Sequence, residues 1–188
     1  MSLSPLTKTL AALLISASTL MGTSYNVDLS HSSVSFKVRH MMVSNVKGHF
    51  NDFSGTYKLE NGVLTSLSGT VALESVDTGI EKRDKHLRNE DFFNVEKNPE
   101  MTFEMTRKRG NSVEGKLTLN GVTKTIKLDA DVSGEIKDPW GNQRSGMSLE
   151  GKISRSDYGL TWNKMMEAGG VVVGDEIKLM IELEGIAE

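Results

Sequence analysis

The chain has 188 residues, 37% apolar and 25% charged, with a net charge of -3 and no cysteine. That composition suits one folded domain with a real core. It excludes disorder, a polybasic footprint for nucleic acid, and every disulfide, thiolate-zinc or thiol-nucleophile chemistry.

Residues 1–24 read as a secretory signal. Lys8 is the only charge before Asp28, and TLAALLISASTLMG is an apolar run flanked by small residues, too short for a comfortable span of a ~30 Å hydrocarbon core. Cleavage is placed after Ser24, with Thr19 as second choice and a retained N-terminal anchor as the alternative. The remaining domain, 25–188, is then mildly acidic.

Period-two alternation follows. In VSFKV, Val34, Phe36 and Val38 share a face opposite Ser35 and Lys37, and the same pattern recurs in GTVAL, MTFEM, VEGKLTL, MSLEGKI and EIKLMIEL. Asn61-Gly62 and Asn120-Gly121 suit two-residue hairpin turns, and KLTLNGVTKTIKLDADV reads as a hairpin of Val113–Leu119 and Val122–Val132. Only residues 80–98 break the rhythm. There a short helix is expected, with Asp84 paired to Arg88 and His86 to Glu90 at four-residue spacing, Ile80 and Leu87 on one side, and Asn98-Pro99 as the stop. Phe92-Phe93 is expected to seal one end of the fold.

About eight strands with one apolar face each make either a sandwich or a closed barrel. Met101, Met105, Met147 and Met180, with in-strand Gly69, Gly115 and Gly151, tilt the reading toward a barrel around an adaptable cavity, against ordinary core filling with bulges. The sequence has no G-x-S-x-G elbow, H-E-x-x-H pair, phosphate loop or dinucleotide fingerprint. His31, His40, His49 and His86 have no metal-ligand spacing. His40 ends an apolar stripe, either as a satisfied half-buried group or as a polar anchor at a pocket mouth. Arg83, Lys85 and Arg88 are either solvated or hold an anionic headgroup. Trp140, in the DPWGNQR turn, is read as exposed by context and packing across a rim; Trp162 and MMEAGGVVVGDE are read as a loose apolar connection, with a portal flap as the alternative.

SVDTGIEKRDKHLRNEDFFNVEKNPEMTFE together with LTLNGVTKTIKLDADVSGEIKDPWGNQRSGMSLEGKI closely resembles the YceI-like family of exported, lipocalin-like proteins that bind polyisoprenoids and related lipids. The likeness runs from YNVDLSHSSVSFKVRH through VKGHFNDFSGTY to IKLMIELEG. It implies an all-β fold, an eight-stranded antiparallel barrel with a short helix closing one end, set in the periplasm after signal removal. It implies binding without turnover, metal or other cofactor, so neither catalytic nor metal residues are assigned.

The expected partner is a long-chain isoprenoid or fatty-acid-like amphiphile, with no nucleic acid; transient contact with a membrane or membrane protein, and a homodimer, are left open. Alternation taken inward gives Phe36, Val38, Val71, Leu73, Phe103, Leu117, Met147, Leu149, Leu179 and Ile181 as lipid-lining positions. His40, Arg83, His86, Phe92 and Trp162 join them at the mouth. Two rivals stand beside the carrier: an enzyme using His40 or His86 as acid/base, and a structural or adhesive barrel with a filled interior.

Overall fold

The structure, a computed structural model, describes residues 22–188 apart from residue 168. Its strands are β1 (Thr23–Val27), β2 (Ser33–His40), β3 (Ser44–Phe50), β4 (Phe53–Glu60), β5 (Val63–Ala72), β6 (Val76–Asp77), β7 (Glu100–Arg109), β8 (Ser112–Leu119), β9 (Val122–Lys137), β10 (Gln143–Ser154) and β11 (Val173–Ala187), with one helix, α1 (Glu81–Arg88). The leader expected at 1–24 lies almost wholly outside the described residues, and β1 already begins at Thr23.

Every named strand pairing is antiparallel. β1 and β2 are two parts of one wall, bent at Leu29–His31, and both pair with β11. β3 and β4 form the next wall, pairing with β2 and β1 respectively. β5 and β6, bent at Leu73–Ser75, form the third, against β4 and β3. Counted this way the segments make an eight-stranded up-and-down barrel, shut where Tyr25 faces Ala187 and Val27 faces Gly185. Closure decides against a sandwich and leaves the ring without free edges.

Local chemistry explains the meander. Asn61-Gly62 and Asn120-Gly121 take positive φ in two-residue turns, joining β4 to β5 and β8 to β9. Inward glycines let large neighbours pass: a Cβ on Gly48 would lie 2.4 Å from the Phe36 ring, one on Gly115 2.3 Å from Phe103, and one on Gly151 2.5 Å from Leu128. These glycines answer to side-chain packing across strands. Of the four strand methionines, only Met101 lines the inner cavity described below; Met147 is packed in the core and Met180 alternates to the outer face.

One end of the barrel is plugged. Tyr25 and Tyr57 stack with centroids 5.0 Å apart and planes 12° off parallel, and Tyr57 Oη donates to the Ser145 carbonyl at 2.8 Å. Tyr25 Oη donates to the Glu135 carboxylate, and burial first, then that carboxylate, pushes the phenol up to about 12. Trp140, in the β9–β10 turn, is 81% exposed, so the expected packing across the rim is corrected. The Asp138 carboxylate folds that turn onto itself, accepting from Trp140 N and Asn142 N, and leaves the indole no neighbour to cover it.

Arg144 ties this region together. Its guanidinium meets Asp138 at 2.8 Å, Asp28 at 2.9 Å and Glu184 at 2.6 Å, and these side chains are largely shielded from water. Hydrogen bonds from His31 and Arg144 hold Asp28 down at about 2, and Arg144 holds Asp138 well below the usual carboxylate range. Both shifts are downward, so their stabilisation is complete above about pH 4 and is lost as pH falls toward 2. Thermal melts against pH should be flat near neutrality and drop in that window. Arg144→Gln leaves three carboxylates facing one another, so it should melt lower at neutral pH and show a shallower acid drop; parallel curves for both proteins would overturn the assignment.

Candidate lipid chamber and its mouth

The end opposite the tyrosine plug is built differently. It gathers the β2–β3 and β8–β9 hairpins, the 78–99 segment with α1, and the 155–172 connection. Between plug and mouth the inward faces do not fill the barrel. They leave an inner chamber which, counted as the space open to the centre of a water-sized sphere, measures ≈ 110 Å³. Among the described residues, none that is charged lines it. Phe36 stands between this chamber and a wider outer one of ≈ 420 Å³, since it lines both.

Thirteen of the fifteen expected positions line one chamber or both. Phe36, Val71, Phe103, Leu117, Leu149, Leu179 and Ile181 line the inner chamber. Val38, His40, Arg83, His86, Phe92 and Trp162 line the outer one with Phe36. Leu73 and Met147 line neither. Leu73 is fully buried where the wall bends between β5 and β6, a place alternation cannot foresee, and Met147 packs beside Leu183 and Val132 in the core. Ile126 and Leu128, on the apolar face of the hairpin, also line the inner chamber, and Ile80 and Leu87, on one side of the helix, the outer one, although none of the four was among the expected lining positions; Phe50, Phe53 and Leu67 of the inner chamber and Val172 of the outer one had no place in the period reading. Phe50 and Phe53 flank the Asn51-Asp52 bend, where paired phenylalanines were the available signal.

Helix α1 carries the mouth chemistry, but not through the pairs expected. Asp84 is buried and accepts from Thr78 N at 2.9 Å and Thr78 Oγ1 at 2.5 Å, acting as an anchor for the chain entering the helix. Arg88 donates to the carbonyls of Glu74 at 2.7 Å and Val76 at 2.9 Å. His86 Nε2 meets Asp91 Oδ2 at 2.8 Å rather than Glu90. The i,i+4 pairs Asp84–Arg88 and His86–Glu90 are thus replaced by latches to the 74–78 backbone and the 89–92 turn. The helix packs against the barrel, and that tertiary contact offers better-aligned acceptors than its own surface.

Arg83 spends Nε on Thr78 Oγ1 at 2.7 Å and Nη2 on the Thr78 carbonyl at 2.9 Å, which fixes the guanidinium at the chamber wall. His86, Phe92 and Trp162 form an aromatic cluster: the imidazole sits edge-on to Phe92 at 5.0 Å and to Trp162 at 4.9 Å. Phe93 turns the other way, onto Phe50 at 6.0 Å.

The 155–172 connection is less loose than its sequence suggests. Buried Arg155 donates to the carbonyls of Leu160 and Gly174, and Asn163 brackets Val173 with bonds of 2.7 and 3.1 Å. Burial pulls the Arg155 guanidinium down from its ordinary value, with Asp175 opposing. Burial likewise raises the Tyr158 phenol to about 12, Asp157 adding to the shift.

The four histidines do not converge. His31 lies with Asp28, His49 is 3.9 Å from Asp77, and His40 and His86 belong to the outer chamber. Asp28, His31 and Glu184 have ligand atoms within 4.8 Å of one another, but Arg144 already supplies the cation there. Neither chamber has a serine or cysteine hydroxyl or thiol hydrogen-bonded to His40 or His86 among the described residues, so no activated side-chain nucleophile is assembled.

Residues 25–185 match the YceI-like domain family. A UPF0312 protein of Photorhabdus laumondii is 39% identical over 188 residues, covering 96% of this chain and 95% of that one. Protein YceI of Salmonella newport is 37% identical over 188 residues, with the same coverage of 96% and 95%. The crystal structure of Campylobacter jejuni YCEI superposes with a TM-score of 0.69 at 37% identity, covering 80% of this chain and 90% of that one. A polyisoprenoid-binding domain from Saccharophagus degradans shares the fold, with a TM-score of 0.66 at 19% identity over 88% of this chain and 99% of that one.

Proposed function

The chain belongs to the YceI-like family, and from that premise we propose that it is an exported carrier that sequesters a long-chain isoprenoid or similar amphiphile, tail in the inner chamber and polar end at the mouth. The observation that carries this reading is the chamber pair: an inner space lined by no charged residue among those described, and next to it, with Phe36 as the shared wall, an outer one edged by His40, Arg83 and His86. The S. degradans domain, named for binding polyisoprenoids, is too distant in sequence to lend this chain its ligand, and supports the barrel alone.

Affinity needs few polar contacts. Burying one methylene is worth about 0.8 kcal/mol, so each five-carbon prenyl unit contributes several kcal/mol gross, and a few units reach the roughly -8 kcal/mol of micromolar binding after ordering costs. Carriage without turnover fits a mouth where His86 is engaged by Asp91 and, among the described residues, is hydrogen-bonded to no serine or cysteine side chain. The setting we propose is the periplasm, reached by way of the leader at 1–24; N-terminal sequencing of the protein from the cell envelope tests that.

The binding test is organic extraction and mass spectrometry of protein purified from its native host, followed by reloading of the stripped protein. A prenyl or acyl chain should be recovered and taken up again. Ligand-free protein that also takes up no long-chain lipid would favour the filled structural barrel, whereas chemical change of the lipid, lost in His40→Ala or His86→Ala, would favour the enzyme.

A further inference from the structure

Three of the barrel's hairpin turns place two successive residues at positive φ, and one of them uses the wrong residues for it. In the β4–β5 and β8–β9 turns these are Asn61 and Gly62 (φ 53° and 73°) and Asn120 and Gly121 (51° and 71°). Asn and Gly tolerate that region at little cost. In the β2–β3 turn they are Met41 and Met42, at 49° and 63°. A methionine pays a steric penalty there, and neither side chain recovers it by burial, because both are exposed and the following Val43 is 80% exposed. A strained, exposed, apolar tip is not explained by folding.

The tip does not stand alone. Met41 N donates to the Val172 carbonyl at 2.8 Å, joining the turn to the second mouth loop, and Gly170 packs between Met42 and Met166. Met165, bridged to Val171, is 79% exposed on that loop. Ile80, at the start of α1, adds an exposed apolar group to the same rim. The rim therefore presents apolar side chains from three segments around the opening of an uncharged chamber. Just inside lie Arg39, His40, Lys82, Arg83 and His86; among the described residues no carboxylate lines that outer space, and Asp91 reaches it only through its 2.8 Å contact with His86, which leaves the arginines and Lys82 in excess.

We infer that this rim is a docking surface for a lipid bilayer containing anionic headgroups: the Met41-Met42-Val43 tip and Met165 insert among the acyl chains while the basic mouth faces the phosphates. Apolar tips with a basic annulus are complementary to the two layers of a bilayer surface in the order in which the protein meets them. Seated so, the mouth opens directly onto the lipid that is to enter, and a tail passes into the chamber without crossing water. The purpose of the surface rests on the carrier reading; its existence as a bilayer contact does not.

The test uses Met41→Asn/Met42→Gly, which gives this turn the residues of its two siblings. Relief of strain should leave the melting temperature at or above that of the parent, so loss of fold does not confound the result. Vesicles of phosphatidylethanolamine with phosphatidylglycerol are the probe. The parent should float with them, and less well when phosphatidylglycerol is omitted; the variant should float about tenfold less. A fluorescent fatty acid supplied as monomer in solution should load both proteins equally, while loading from vesicles should slow only in the variant. Equal flotation of parent and variant overturns the docking surface. So does a parent that ignores vesicles but sediments as a dimer the variant cannot form, which would make a second copy the occupant. Failure of both proteins to load from solution counts against the carrier reading alone, and flotation still decides the docking.

Discussion

Ile181→Trp should fold and yet bind long-chain lipid at least about a hundredfold more weakly, read as loss of uptake by the stripped protein. Ile181 sits on β11 between Leu149 of β10 and Val34 of β2, and all three line the inner chamber. An indole there takes space the tail would use. Excluding three to four methylenes at about 0.8 kcal/mol each removes roughly 2.7 kcal/mol, which is the hundredfold. Met180→Trp is the matched control: one residue along, it faces outward beside Ser35 and Glu150, and uptake should not change. A charge is a poorer probe. Phe103→Arg would bury a guanidinium beside a chamber with no charged partner and crowd the backbone at Gly115, so unfolding would mimic loss of binding. Normal uptake by folded Ile181→Trp would mean the tail does not occupy this space.

Gly185→Val should damage the fold severely, at about 3 kcal/mol or more, lowering the melting temperature by roughly 6–12 °C. A Cβ at Gly185 would lie 2.6 Å from Tyr57 Oη and 2.7 Å from its ring. Tyr57 has nowhere to retreat: it is 1% exposed, stacked on Tyr25, and bonded to the Ser145 carbonyl. The collision falls on the seam where β11 meets β1 and shuts the barrel. Tyr57→Phe keeps the ring and loses one buried hydrogen bond, so it should cost only about 1 kcal/mol. Pairing Gly185→Val with Tyr57→Leu should recover part of the loss, since the clash and the ring are removed together. Melting of Gly185→Val alongside the parent would show that the tyrosine plug is free to move.

Much of this was legible along the chain. The Asn-Gly turns, the alternating strands from β7 to β11 and a short helix after residue 80 all follow from local chemistry, because turn geometry and strand alternation are decided within a few residues. β3 and β4 were not legible. Gly48 and Gly55 occupy inward positions where alternation expects an apolar side chain, Gly48 because the Phe36 ring already fills its place, so the period breaks although the strand does not. The ion pairs of α1 were misassigned for a related reason: spacing reports only what a helix can offer itself, while Thr78 and the carbonyls of Glu74 and Val76 come from outside it.

The mouth shows the same division. Val38, His40, Arg83, His86, Phe92 and Trp162 come from β2, from α1 and the turn after it, and from the 155–172 connection, and nothing in their sequence separations brings them together. Residue order by itself determined an antiparallel meander of amphipathic strands, its principal turns and the short helix α1, since those depend on neighbours in the chain. The closure of β1 on β11, the plug at one end, and the space left empty at the other depend on how side chains from distant strands meet, and only the tertiary structure decided them.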